Sequence, residues 1–167
     1  DTVINIGTAR GFSAVCAAKG LAATGGGTVH TIDVIDPDEE RDWTTEKKVS
    51  DPLAGQRVTM RELIERFHDP NGDVPIEFHT DTSTEILRAL NGEVDPDLVF
   101  HDALHTYQNV STEIGLVKDM TDTSPTHVFD DCWLYRRPGR YRPFRDDRLK
   151  RLAELRPLRP VLGRLIK

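Results

Sequence analysis

The chain has no long hydrophobic run: none of its windows approaches the roughly eighteen consecutive apolar residues that a membrane-spanning helix requires. It opens on DTVINIG without a basic segment, an apolar stretch or a cleavage site, so no export signal is read and the cytoplasm is the expected location. Cysteine is scarce. Cys16 and Cys132 lie far apart and form no C-x-x-C pair, which excludes a disulfide framework and a thiolate metal site and leaves two buried thiols as the expectation. Phosphate signatures are missing too. The turn NIGTARGFS has Ala9 and Arg10 between Gly7 and Gly11 instead of the central glycine of a dinucleotide fingerprint, and no G-K-[ST] occurs. A cofactor without a pyrophosphate fits this turn better.

What is present describes one water-soluble domain: 167 residues, 37% hydrophobic and 30% charged. The net charge of -6 conceals an asymmetry. Residues 1–135 hold 10 Lys and Arg against 25 Asp and Glu, whereas residues 136–167 hold 12 against 3. We therefore read 1–135 as the core and 136–167 as a basic C-terminal extension. DDRLKRLAELRPL has the leucines for one helix there, and Pro138, Pro143, Pro157 and Pro160 break up the rest. Such a tail can contact nucleic acid or an anionic surface, although a solvated segment lying against the acidic body is the simpler account.

Along the core, two kinds of segment alternate. The apolar alternation of TVINIG, then GTVHTIDV, VPIEFHT, DLVFH and THVFD read as five strands. Between them, FSAVCAAKGLAA reads as a closely packed small-residue helix. VTMRELIERF carries Met60, Leu63, Ile64 and Phe67 on one helical stripe, and YQNVSTEIGLVKDM carries Val110, Ile114, Val117 and Met120. TSTEILRALNG is a helix with Thr82 and Glu85 spaced as a capping box and Asn91-Gly92 as its stop. The polar stretch VIDPDEERDWTTEKKVSDPLAGQ has no sustained period and reads as a long loop or lid. Strands separated by helices predict an α/β fold, a Rossmann-like doubly wound parallel sheet.

In such sheets ligands bind outside the carboxyl ends of the strands, and Gly7, Asp33, Asp81, Asp102 and Asp130 all stand there. Asp33 is placed to accept hydrogen bonds from the two hydroxyls of a ribose. Turn capping is its alternative role, and Asp36 competes for the ligand. Asp81 and Thr82 end the third strand, where Thr82 already has a use as a helix N-cap. His101 falls on the opposite face of its strand from Asp102 and reads as structural. Tyr107 reads as wall or core, as do Cys132 and Trp133.

VINIGTARGFSAVCAA, VHTIDVID, HTDTSTEIL, DLVFHDALHTY and HVFDDCW, in this order and spacing, resemble the class I S-adenosylmethionine-dependent methyltransferases. The branch they resemble most is the metal-dependent O-methyltransferases related to macrocin and rhamnosyl O-methyltransferases, with catechol O-methyltransferase more distant. The resemblance covers roughly residues 2–133, and D-L-V-F-x-D-x-x-H-x-Y with V-F-D-D is its specific part. It implies that Gly7, Thr8 and Gly11 lie beneath the methionine part of the cofactor, with Ser13 at the following helix start. It further implies Asp33 at the ribose, Asp81 with Thr82 beside the adenine, Asp102, Asp130 and Asp131 around a divalent metal, and His105 as general base. Asn5, Thr80 and DALH stand where an acid, a glycine and DGDH are usual. Relative to the family the chain is expected to lack the N-terminal cap and the last strands of the sheet.

The chemistry of these residue types agrees with that implication. Three carboxylates at adjacent strand ends repel unless a cation sits among them, and an all-oxygen set favours Mg²⁺ over zinc. A metal-bound hydroxyl is acidified and oriented, and transfer of an activated methyl group to it then depends mostly on positioning. His105 is either the base that takes the hydroxyl proton or a support for a metal-ligating Asp. The expected function is methyl transfer from S-adenosylmethionine to a hydroxyl of a small molecule, a sugar or other natural product, assisted by Mg²⁺. A non-catalytic cofactor-binding remnant is the alternative, and a nucleic-acid methyltransferase using the basic tail ranks last. The partner is then a small hydroxylated acceptor, no membrane is spanned, and a homo-oligomer stays open.

Overall fold

The computed structural model describes residues 1–43, 53 and 55–130. The basic extension 136–167, with its expected helix, and the residues Asp131, Cys132 and Trp133 lie outside the described residues.

Five parallel strands form the sheet: β1 (Thr2–Ile6), β2 (Thr28–Asp33), β5 (Ile76–Thr80), β6 (Leu98–His101) and β7 (Thr126–Phe129). Their order is β5-β2-β1-β6-β7, so the chain builds outward from β1 in one direction and then crosses back to build in the other. The switch point lies between β1 and β6, where Ile6 pairs with His101 and both strands end. Crevices at such points are where sheets of this type hold ligands.

The side-chain period of two sends each strand's residues to opposite faces. Ile4, Ile6, Ile32 and Val99 face one way and meet Leu87, Leu90, Val117 and Met120 from helices α3 (Ser83–Ala89) and α4 (Tyr107–Met120) and the end of α3. Val3 and Val29 face the other way, against Ala14, Ala18 and Leu21 of α1 (Phe12–Thr24). The small side chains of α1 let it sit close to the sheet. α2 (Met60–Glu65) packs beside it through Met60, Leu63 and Ile64, which meet Val15 and Trp43. Helices thus cover both faces, the doubly wound arrangement that the alternation predicts. No helix among the described residues is long and apolar enough to cross a membrane.

Four sequence expectations change. The stripe on α2 stops short of Phe67, which is 68% exposed because the helix ends at Glu65 and the next residue caps it. The reciprocal capping box is at Thr59 and Glu62, whereas at Thr82 the hydroxyl accepts the Glu85 N–H but the Glu85 carboxylate turns to Arg88 and does not return to the cap. Cys16 is exposed, since Ala14, Val15, Ala18 and Leu21 take the buried side of α1 and leave position 16 on the outer one. Inside the long polar stretch, β3 (Arg41–Asp42) pairs antiparallel with β4 (Arg57–Val58), which lies just past the stretch's end, so that stretch contributes one strand of a short ladder.

Candidate active site

The first turn is shaped by its neighbours. Gly7 has φ 94°, and a β-carbon there would lie 2.2 Å from the carbonyl oxygen of Asp102. Only glycine permits the turn after β1 to close onto the end of β6, where the Asp102 N–H donates to the Ile6 carbonyl at 2.8 Å. Gly11, with φ 82°, abuts the Ile64 side chain in the same manner, so its missing β-carbon makes room for α2. Between the two glycines, Ala9 also adopts a positive φ of 45°.

Asp33 explains how that turn is held. Its Oδ2 accepts the backbone N–H groups of Thr8 and Ala9, both at 2.9 Å, and its Oδ1 accepts the Ile35 N–H at 3.1 Å. Three of the about four acceptor positions of the carboxylate are filled, which leaves one on Oδ1. The turn-capping role that competed with ribose binding in the sequence is therefore occupied. Asp36 is exposed and caps the Asp38 N–H at 2.9 Å. Beneath the turn, Thr8 Oγ1 lies 2.7 Å from Thr31 Oγ1, which also accepts from Asn5 Nδ2 at 2.9 Å. Asn5 Oδ1 is buried and has no hydrogen-bond partner.

A cleft of about 1070 Å³ opens beside this turn, between α1 and the β6–β7 side of the sheet. Alternation along β6 and β7 points Phe100 and Asp102, and Val128 and Asp130, into it. Gly7, Thr8 and Ser13 border the cleft, and Asp130 follows β7 with its N–H on the His101 carbonyl at 3.1 Å. Among the expected site residues, Gly7, Thr8, Ser13, Asp102 and Asp130 thus share one space. Gly11, Asp33, Asp81, Thr82 and His105 stand outside its lining. Asp81 is exposed beside Asp33, its N–H on the Asp33 carbonyl at 3.1 Å and its Oδ1 accepting the Thr82 N–H at 2.6 Å. Thr82 caps α3. Asp131 is outside the described residues, so the third member of the acid set is not placed.

His105 Nε2 stands 3.7 Å from Asp102 Oδ1, with 19% and 33% of the two side chains exposed. That separation allows attraction and exceeds a direct hydrogen bond. The histidine three residues after the acid therefore comes back to it, as the spacing H-D-A-L-H anticipates.

Residues that sequence reasoning missed also border the cleft. Trp43, 9% exposed, packs with Val15 and Met60, donates its indole N–H to the Val58 carbonyl at 2.8 Å, and receives the Arg10 guanidinium on its own carbonyl. A lone tryptophan in a polar stretch was the available signal. Phe12, 81% exposed at the start of α1, forms part of the opposite wall.

On the other face of β6 and β7 the polar groups are sealed in. His101 Nδ1 lies 2.8 Å from Glu113 Oε2 and its Nε2 lies 3.0 Å from His127 Nδ1. Glu113 Oε1 accepts from Ser83 Oγ and from Asn109 Nδ2, both at 2.6 Å. Burial, helped by the nearby His101 and Lys118, pushes the His127 pKa down to about 4. Structural service for His101 is what the sequence predicts.

Residues 4–132 match the model of a family described as a methyltransferase domain. No curated protein matches the chain at a significant level. The matched span begins in β1, ends just past β7 and includes the glycine turn and both cleft carboxylates, and with that span covering most of its length the chain belongs to the methyltransferase domain family.

Proposed function

We propose that this domain transfers a methyl group from S-adenosylmethionine to a hydroxyl of a small molecule, a sugar or other natural product, with the help of a divalent metal. Methyl transfer in general, and S-adenosylmethionine as its donor, follow from the family. The hydroxyl acceptor and the metal are our reading. It rests on one observation: Asp102 and Asp130 extend from adjacent strands into one cleft beside the glycine turn, at the switch point of the sheet.

The residues present fit both groups. The Gly7 turn, the Thr8 and Ser13 positions and the orphaned carbonyl of the buried Asn5 side chain give the cofactor end of the cleft polar anchors. Phe12, Phe100 and Val128 give the rest of the cleft apolar walls. When bound, the sulfonium supplies an electrophilic methyl group. The oxygen donors of Asp102, Asp130 and Asp131 would hold a hard ion such as Mg²⁺, which when bound supplies Lewis acidity toward a hydroxyl. His105, beside Asp102, takes the hydroxyl proton on an imidazole nitrogen, and Asp102 stabilises the resulting cation. Asp33 contributes by fixing the Thr8–Ala9 turn, with its remaining Oδ1 position for one ribose hydroxyl. Asp81 and Thr82 border the adenine end.

Calorimetry with S-adenosylhomocysteine and a labelled-methyl assay on hydroxylated acceptors, each with and without Mg²⁺, test this reading. Asp102→Ala is expected to keep S-adenosylhomocysteine binding and to lose about 10³-fold in metal-stimulated turnover. Turnover indifferent to both the substitution and a chelator would remove the metal. Binding without turnover on any acceptor would instead favour a cofactor-binding remnant.

A further inference from the structure

The face of the sheet turned away from the cleft carries a second cluster. His30 lies on β2, and Glu77 and His79 occupy alternate positions on β5, the edge strand among the described residues. Register sets Glu77 directly opposite His30 and His79 opposite Ile32, so all three side chains emerge on the same face. His30 Nδ1 is 3.1 Å from His79 Nε2 and 3.4 Å from Glu77 Oε2, and one ligand atom from each residue falls within 4.8 Å of the other two. Among the described residues no other group of three histidine, cysteine or acidic side chains meets at that range.

These separations have a chemical meaning. A tetrahedral ion with ligand bonds of about 2.0–2.1 Å holds its donor atoms about 3.3 Å apart, and two of the three edges here are already near that length. The donor set, two imidazoles and one carboxylate, suits a borderline ion of the zinc type rather than the hard ion of an all-oxygen site. The 3.1 Å contact is also a hydrogen bond in the metal-free protein, one ring donating to the other. A metal replaces that shared proton and requires the remaining protons on His30 Nε2 and His79 Nδ1. His30 is 8% exposed and anchors the site from inside, while the Glu77 side chain, 55% exposed, leaves an open side for entry of the ion and for a fourth ligand such as water.

We propose that His30, Glu77 and His79 bind a zinc-type divalent ion that clamps the edge strand β5 onto β2, independently of the cleft acids. Because β5 runs on to Asp81 and the cap of α3, the clamp steadies the strand end beside the cofactor turn. It contributes no ligand to the methyl-transfer site.

The test uses the full chain stripped with a chelator and dialysed. Zn²⁺ is titrated in competition with a chromogenic chelator, and Co²⁺ binding is followed by its visible absorption. We expect one ion per chain, Co²⁺ bands of four-coordinate intensity, and a rise in melting temperature with Zn²⁺. His79→Ala is expected to weaken Zn²⁺ binding by more than the roughly 10–100-fold that loss of an outer-shell partner costs. Glu77→Gln is expected to weaken it less, and Asp102→Asn not at all. Both cluster variants change partly exposed side chains, and their metal-free melting curves control for folding. Zn²⁺ binding that survives in His79→Ala, binding that Asp102→Asn abolishes, or no stoichiometric binding would each overturn the site.

Discussion

Two histidine–carboxylate pairs have their histidines four residues apart, His101 at the end of β6 and His105 in the turn after it, and they have opposite environments. His101 and Glu113 are 2.8 Å apart with 2% of each side chain exposed, whereas His105 and Asp102 are 3.7 Å apart and face solvent and the cleft. The residue types are alike. What separates them is the strand period, which turns His101 under α3 and α4 and turns Asp102 to the cleft side. In the buried pair every oxygen of Glu113 has a partner, so the pair is a fixture. In the open pair both side chains keep part of their surface exposed.

The largest effect that separates the two pairs is expected at Glu113. Glu113→Ala removes the acceptor for Ser83, Asn109 and His101 together and leaves buried polar groups without partners. Breaking a buried pair on one side costs about 3–5 kcal/mol. Urea unfolding should show that loss, and a change below about 1 kcal/mol would mean that the network is not holding the helix to the sheet.

Glu113 also shows what the sequence conceals. The α4 stripe of Val110, Ile114, Val117 and Met120 was readable from spacing, and all four are buried. A glutamate beside that stripe reads as solvated, and its burial depends on His101 and Ser83, which folding brings to it. The five strands, the helices between them and the strand-end position of the site residues were likewise readable, because periodicity and crossover geometry are local signals. Partners across the fold were not. Gly7 was legible as a turn, but its reason, the Asp102 carbonyl where a β-carbon would go, lies on another strand. Asp33 was legible as a ligand candidate, while the three N–H groups that fill most of its carboxylate depend on how the first turn coils back. Trp43 was overlooked because the surrounding stretch lacks a period, and the Thr59–Glu62 box because Thr59 was read as part of the helix that it caps.

The second effect is a pH dependence of stability to which the buried face contributes through His127. His127 titrates near pH 4 in the folded chain, against 6.5 for an ordinary histidine. Below about 6.5 the unfolded chain takes up a proton that the folded chain refuses, so stability is full above that pH and falls as the pH drops. The loss levels off near pH 4. At about 1.4 kcal/mol per unit the total is on the order of 3 kcal/mol. Unfolding curves between pH 7 and 4 should show the decline, and His127→Gln should make it shallower. An unchanged slope in the variant would place the pH sensitivity elsewhere.

The third effect belongs to the open pair, and in contrast to the first two it is expected in rate and not in stability. His105→Ala removes a side chain with about a fifth of its surface exposed, so its stability cost should stay near or below 1 kcal/mol. If the imidazole takes the hydroxyl proton, turnover falls about 10²-fold with S-adenosylhomocysteine binding intact. A merely structural histidine would give a similar loss only through misplacement of Asp102, and the two cases separate by adding imidazole to the assay. Recovery of part of the rate in the presence of free imidazole is the expected result, because a base that diffuses into the vacated space restores proton transfer without restoring any tether to Asp102. No recovery together with a lowered metal affinity would recast His105 as a support for that carboxylate, and the open pair would then resemble the buried one more closely than its exposure implies.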